Sequence, residues 1–217
     1  MKMKNLTLAV AAVAIMTTSA LFPKRANAQE LSAQIVGGSY KNGTEQMVGL
    51  GFAAKKPLND KITAGFDLTF AVSKSKDIVE SAQIWASFKL GGNSNISLTP
   101  YLWKNNFYGV DPYGVGLVAS LGNIDVIGEY DKPKTAADPN TFAEAVCYKL
   151  SLGKLNLFPK LIGVQFSNKV FDMLGLELKA SYNAGRGIAP FVIVKTMDLL
   201  ETGKCSTNLQ GGMSVQL

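Results

Sequence analysis

Several polar residue types in this sequence could do acid–base chemistry, but their spacing supports it weakly. The candidate carboxylates are Asp67, Asp125, Glu129 and Glu177. Paired carboxylates can exchange protons with a substrate, yet no spacing singles out one pair. Ser87 and Lys89 are two residues apart, as a Ser–Lys dyad could be, but alternation makes such neighbours common in polar strands. The chain contains no histidine, which excludes His-based triads and His-ligated zinc. We therefore predict a protein that is not an enzyme and holds no metal or cofactor.

Aromatic residues offer a second kind of site. If the segments 78–90 and 96–104 pair across the turn at 91–95, Trp85 lies opposite Tyr101 and Trp103 lies near Gln83. Pairing 62–73 with 78–90 adds Asp67 beside Gln83. Flat rings beside hydroxyl and amide groups suit sugar rings, so a saccharide path is one hypothesis. The alternative is that the three rings fill or narrow the interior of the fold.

Charged residues near the C-terminus form a third group. Pairing of 173–183 with 188–199 predicts that Glu177 lies opposite Lys195, with Lys179 one step away and Gln210 beside Lys195. Such a cluster can bias ion selectivity. It can equally be a set of charges that neutralise one another, and we favour this second interpretation.

The two cysteines, Cys147 and Cys205, lack the spacing of a metal site. They fall on the eighth and the last of twelve predicted strands, which are not neighbours in our assignment. A disulfide needs Cα atoms within about 7 Å, so we expect both thiols to remain unpaired.

The elements that must position these residues are β-strands. Apolar and polar residues alternate with period two through 62–73, 174–183 and 205–217, and sustained helical periodicity is hard to find. Eleven turn signals rich in Gly, Asn and Pro divide the chain into twelve segments, or ten if 105–112 or 122–131 is misread. The twelve predicted strands are 31–40, 45–56, 62–73, 78–90, 96–104, 113–121, 124–131, 141–152, 155–166, 173–183, 188–199 and 205–217.

The lengths of strands and loops favour a barrel that crosses a membrane. Most segments reach the 9–11 residues that a tilted spanning strand needs. Tight turns follow the even strands, whereas the two longest loops, 105–112 and 132–140, follow odd strands, as in outer-membrane barrels. We predict an all-β, closed, antiparallel up-and-down transmembrane β-barrel. A soluble periplasmic barrel that binds an apolar ligand is an alternative, and it requires Phe66, Leu68 and Phe70 to face inward.

The last eight residues resemble the assembly signal of bacterial outer-membrane proteins. The pattern is carried by Gln210, Gly212, Val215 and Leu217. Such signals usually end on Phe or Trp, and this chain ends on Leu217. The chain thus resembles the small outer-membrane β-barrel or porin class in general. That resemblance implies location in the bacterial outer membrane, with the lipid bilayer and the assembly machinery as partners.

The N-terminus is typical of a secretory signal peptide. Lys2 and Lys4 precede an apolar run over 6–22, and a small-x-small cleavage site ends at Ala28. We assign 1–28 to the signal and 29–217 to the barrel. Four of the 22 basic residues and none of the 16 acidic ones lie in 1–28, so the remainder carries a net charge of +2. Residues 29–217 contain no stripe of basic residues that would indicate nucleic-acid binding.

We therefore expect a small porin or passive channel for small hydrophilic solutes. A non-conducting structural or surface-interaction barrel is the alternative. The predicted lumen-lining residues are Asp67, Gln83, Trp85, Lys89, Tyr101, Trp103, Lys149, Glu177, Lys179, Lys195 and Gln210.

Overall fold

The structure is a computed structural model, and it describes residues 30–40, 45–73, 78–91, 96–106, 113–132, 140–165, 172–199 and 205–216. The predicted signal peptide and Leu217 lie outside these ranges. So do 41–44, 74–77, 92–95, 107–112, 133–139, 166–171 and 200–204.

The described residues form thirteen antiparallel strands, and twelve of them close into a barrel. Each strand pairs with the next along the chain, except that β8 and the short β9 both pair with β10. The barrel closes between β1 and β13, with Ser32 opposite Gln216 and Gly38 opposite Gln210. The strands are β1 (Glu30–Tyr40), β2 (Glu45–Pro57), β3 (Ile62–Ser73), β4 (Ile78–Leu90), β5 (Ile96–Asn106), β6 (Tyr113–Leu121), β7 (Ile124–Lys132), β8 (Thr141–Tyr148), β9 (Leu150–Leu152), β10 (Leu155–Gln165), β11 (Met173–Tyr182), β12 (Ile188–Met197) and β13 (Ser206–Gln216). Closure pairs the first strand of the barrel with the last, so the twelve-stranded ring has no open edge, as a lipid environment requires.

Where the connections are described, tight turns join the strands at the end of the barrel that also holds the start of β1 and the end of β13. Asn59 accepts backbone N–H groups of Lys61 and Ile62 through its side-chain oxygen. Gly122 and Gly153 adopt positive φ of 60° and 62° in two-residue turns, a conformation that glycine reaches without strain. These short connections set the register of the hairpins that they close.

The apolar side chains are on the outside of the barrel. Val48 and Ile84 are 66% and 57% exposed, and the described residues include no large side chain that is fully buried. Phe66, Leu68 and Phe70 share the outer face of β3 with Val72, which is 52% exposed. The soluble alternative required these three side chains to face inward, so it is wrong. An apolar exterior is stable in lipid rather than in water.

The predicted eighth strand, 141–152, is split into β8 and β9 because of a proline on the neighbouring strand β10. This split is why the structure has thirteen strands rather than twelve. Strands β8 and β9 pair with β10 in the same register, in which Cys147 is opposite Lys160 and Leu150 is opposite Leu157. This register places Tyr148 opposite Pro159. Pro159 has no N–H to donate, so the ladder breaks there. The Cys147 thiol donates to the unmatched Tyr148 carbonyl at 3.9 Å. The short strand β9 lies beyond this break and pairs with β10.

The predicted fold class and the larger of the two strand counts are confirmed. Strand bounds agree with the prediction to within two residues at most ends, apart from the split of 141–152. Within the described ranges, no helix is both long and apolar enough to span a membrane.

Candidate functional site

The inner face of β4 and β5 carries the aromatic cluster that the sequence predicts. Trp85 is directly opposite Tyr101, and Gln83 is opposite Trp103, as expected. Trp85 Nε1 donates a hydrogen bond to Asp67 Oδ2 at 2.8 Å. We name Trp85, Tyr101 and Trp103 the aromatic wall.

The other two rings of the aromatic wall extend over β6 toward β7. Tyr101 donates from its hydroxyl to Glu129 Oε2 at 2.6 Å, and it is only 8% exposed. Trp103 stands opposite Gly114, which in turn stands opposite Asp131. Each ring of β5 therefore meets a carboxylate two strands away.

Glycines on the neighbouring strands make this reach possible. A Cβ placed on Gly116 would overlap the Tyr101 ring, and one on Gly65 would overlap the Trp85 ring. A Cβ on Gly114 would lie 2.6 Å from Trp103 Nε1 and 2.7 Å from Asp131 Oδ1. All three glycines lie on the inner face, where the absent side chains leave space that the rings occupy.

A second inner surface, on β10 to β12, is rich in lysine. Lys160 forms an ion pair with Glu177 at 3.3 Å. Lys195 stands opposite Glu177 on one side, as predicted, and opposite Asn208 on the other. Lys179 lies over the Phe191 ring with its Nζ 5.3 Å from the centroid, within cation–π range. We name Lys160, Lys179 and Lys195 the lysine wall.

One predicted contact of the lysine wall is wrong. Gln210 is opposite Ile193, and Asn208 takes the predicted place beside Lys195. The physical reason is that β12 ends at Met197, because Asp198 adopts a left-handed backbone with φ of 63°. The strand was predicted to continue to residue 199, and the shorter strand shifts the register by one inward step.

A third set of charges lies on β6 to β8. Asp125 accepts the Ser120 hydroxyl at 2.7 Å and forms an ion pair with Lys149 at 2.7 Å. Lys89 is on the inner parity of β4, opposite Ser97 near the end with the tight turns. It is exposed there and stands apart from the aromatic wall.

The two walls face each other across the barrel. Strands β11 and β12 stand six strands from β4 and β5 in either direction around the closed sheet. The interior therefore has aromatic rings and carboxylates on one side and lysines on the other. Charges arranged in this way produce a field across the lumen rather than along it.

The interior opens to solvent at the end with the tight turns. A cavity of about 660 Å³ extends there from β1–β4 to β10–β13. Asp67 and Trp85 line it, together with the ion pair of Lys55 with Glu30 at 2.7 Å and with Arg186. This mouth is polar, and it leads directly to one end of the aromatic wall.

One of these inner residues, Lys160, was not among those that the sequence placed inside the barrel. Glu129 and Asp125 are visible in the alternation of β7, but no local signal links them to Tyr101 or Lys149. Lys160 follows Pro159 in the sequence, and only the pairing of β10 with β11 brings it opposite Glu177. Both cysteines are free, as expected, and among the described residues no three Cys, Asp or Glu side chains are placed to hold a metal.

A closed sheet with an apolar exterior and a polar, charged interior defines the class of this molecule. It is a transmembrane β-barrel of the bacterial outer-membrane type.

Among the comparisons with known proteins, only the solved structures give matches, and they share the fold. No protein-family model matches the sequence, and no curated protein matches it. Among solved structures, the NanC porin superposes with a TM-score of 0.62 at 10% identity, covering 85% of this chain and 100% of that one. The KdgM porin in complex with disordered oligogalacturonate superposes at 0.58 and 13%, covering 86% and 99%. An active-site variant of outer membrane phospholipase A from Escherichia coli reaches 0.50 at 13%, covering 88% and 91%.

Proposed function

We propose that this protein is a passive channel of the outer membrane for small hydrophilic solutes. The observation that carries the proposal is the polar mouth of about 660 Å³, which joins the solvent to an inner wall of charged and aromatic side chains. Asp67, Lys55 and Arg186 line this opening, and their charges suit a water-filled entrance.

The two walls favour a saccharide that carries a carboxylate. A sugar ring stacks on flat aromatic faces, and the two partly exposed rings of the aromatic wall, Trp85 and Trp103, supply them. A carboxylate on the same solute would face the lysine wall on the other side of the lumen. The KdgM structure was determined with an oligogalacturonate, a solute of this kind, which supports the proposal by analogy of fold only.

Planar-bilayer recording on the protein purified from membranes tests the channel. We expect discrete conductance steps, because the interior is polar and opens at the mouth. Stable insertion without steps would favour the second candidate, a non-conducting structural barrel. That candidate is supported by the burial of Tyr101, which narrows the lumen on one side.

Solute preference is tested separately in vesicles. We expect liposomes that contain the protein to take up an acidic disaccharide faster than a neutral one of equal size. The double variant Trp85→Ala/Trp103→Ala should reduce this uptake while leaving ion conductance in place. Unchanged uptake in that variant would remove the saccharide part of the proposal and leave the channel intact. Catalysis was not expected from the sequence, and that expectation stays a prediction.

A further inference from the structure

An acidic side chain lies on the lipid-facing side of β8. Glu144 is exposed on β8 between Phe142 and Val146, which are 39% and 49% exposed and point outward. The alternation of β8 places Ala143 and Ala145 on the other face. Glu144 is therefore an acidic residue within the apolar outer surface of the sheet.

Glycines flank Glu144 on both neighbouring strands. Gly128 of β7 is directly opposite it on one side, and Gly163 of β10 is opposite it on the other. A row that reads Gly–Glu–Gly across three strands leaves the carboxyl group uncovered by its neighbours. The result is a trough in the outer surface with one carboxyl group at its centre.

Apolar side chains form the rest of this trough. Its volume is about 340 Å³, and Phe142, Val146, Leu161 and Leu174 line it with Val126. Phe142 and Tyr130 mark its side nearer the external end of the strands, because β8 begins at Thr141 after a predicted external loop. We name this surface, made by Gly128, Glu144, Gly163 and the apolar residues around them, the Glu144 trough.

A carboxyl group in this position is costly in a bilayer unless something pairs with it. Ionisable residues facing lipid are rare, and those that occur usually have a partner and a function. Glu144 has no hydrogen bond or ion pair with any described residue. Its neighbours in the sheet, Gly128 and Gly163, have no side chain that could pair with it, so the carboxyl group is open to a partner from the bilayer.

We propose that the Glu144 trough binds a lipid that carries a primary amine, with the ammonium group on the Glu144 carboxylate and an acyl chain along Phe142, Val146 and Leu161. The trough faces the bilayer, so lipids are the molecules in permanent contact with it. Charge complementarity selects among them, because an amine headgroup can pair with a carboxylate, whereas a purely anionic headgroup is repelled. The proposal depends on the barrel being in a membrane and does not depend on conductance.

Native mass spectrometry of the purified full-length protein tests this proposal. The probes are phosphatidylethanolamine and phosphatidylglycerol with identical acyl chains, added in equal amounts. We expect one tightly retained phosphatidylethanolamine per barrel, preferred roughly tenfold over phosphatidylglycerol, as one charge-assisted hydrogen bond would give. Glu144→Gln should abolish the preference and leave the barrel folded. Equal retention of both lipids by the wild type would overturn the proposal.

A second variant separates shape from charge. A Cβ at Gly128 would have only Phe142 Cζ near it, at 4.0 Å, so Gly128→Val can fill the trough without disturbing the sheet. We expect it to lose the bound lipid although Glu144 is kept. The matched control is Gly211→Val, another outward-facing glycine whose added Cβ would meet Phe191 O at 3.5 Å. Loss of lipid in the control as well would contradict the assignment to the trough. A Glu144-dependent dimer without lipid selectivity would show instead that a second copy occupies it.

Discussion

Trp85 and Asp67 are joined by a hydrogen bond of 2.8 Å from the indole Nε1 to the carboxylate, across two neighbouring strands of the inner wall. The bond holds the indole in place over Gly65, where no side chain competes for the space. It thus links the polar mouth to the aromatic wall.

Trp85→Phe keeps most of the ring and removes the donor. The half-buried Asp67 carboxylate loses its charge-assisted bond, so we expect the free energy of unfolding to fall by about 1–3 kcal/mol. Urea unfolding in detergent, followed by the heat-dependent shift on gels, measures this. Asp67→Asn keeps an acceptor for the indole and should cost less. A larger loss for Asp67→Asn than for Trp85→Phe would show that the carboxylate charge, rather than the bond, is what matters.

Gly116→Ala adds a methyl group where the Tyr101 ring now lies. The ring must move, and its hydroxyl then leaves Glu129, so we expect a loss of about 1–3 kcal/mol in stability and a change in single-channel conductance. The control is Gly37→Ala on the outer face of β1, where the nearest atom to the new Cβ is Met47 O at 3.8 Å. An unchanged Gly116→Ala barrel would mean that Tyr101 is not held where we describe it.

The lysine wall should set the charge preference of the channel. Replacing Lys160 and Lys195 by Gln leaves Glu177 without its ion pair, so we expect selectivity to shift toward cations. The measurement is the reversal potential in a KCl gradient. The shift should be largest in dilute salt and shrink near 1 M, where the Debye length is about 3 Å. Lys104→Gln, on the outer face, is the control, and a similar shift there would count against a role for the lumen charges.

Pro159→Ala should repair the break between β8 and β9. An alanine N–H can donate to the Tyr148 carbonyl, which the Cys147 thiol now uses. The new bond is worth about 0.5–1.5 kcal/mol, but losing the proline frees the unfolded chain by about 0.4–1 kcal/mol. We therefore expect little net change in stability. The sharper readout is slower hydrogen exchange across Tyr148 to Leu152, and exchange that does not slow would contradict the cause that we give for the break.

Both thiols should stay reduced in the assembled protein. Cys147 is on β8 and Cys205 precedes β13, whose neighbours are β12 and β1. We expect the same gel mobility with and without reductant, and two maleimide groups per unfolded chain. Cys205 is exposed and should react first in the folded barrel. A reductant-sensitive band would show a pairing that this strand order does not permit.

Local sequence determined most of the strands and much of their pairing. Alternation with period two sets which face each side chain takes, and tight turns fix the register of the hairpin that they close. That is why the positions of Trp85 against Tyr101 and of Glu177 against Lys195 could be predicted without a structure. The same logic predicted an apolar exterior once the strand lengths matched a bilayer.

The tertiary structure decided what depends on distant strands or on backbone detail. Tyr101 meets Glu129 only because two strand pairings and the gap at Gly116 bring them together, and the closure of β1 on β13 joins opposite ends of the chain. Strand β12 ends at Met197, two residues earlier than predicted and just before the left-handed Asp198, and the two-residue change of register puts Asn208 in the place predicted for Gln210. The Glu144 trough likewise exists only across β7, β8 and β10, where Gly128 and Gly163 meet one carboxyl group. Neither the alternation of a strand nor the type of its turns encodes such contacts, because the contacts depend on the registers of several strands together.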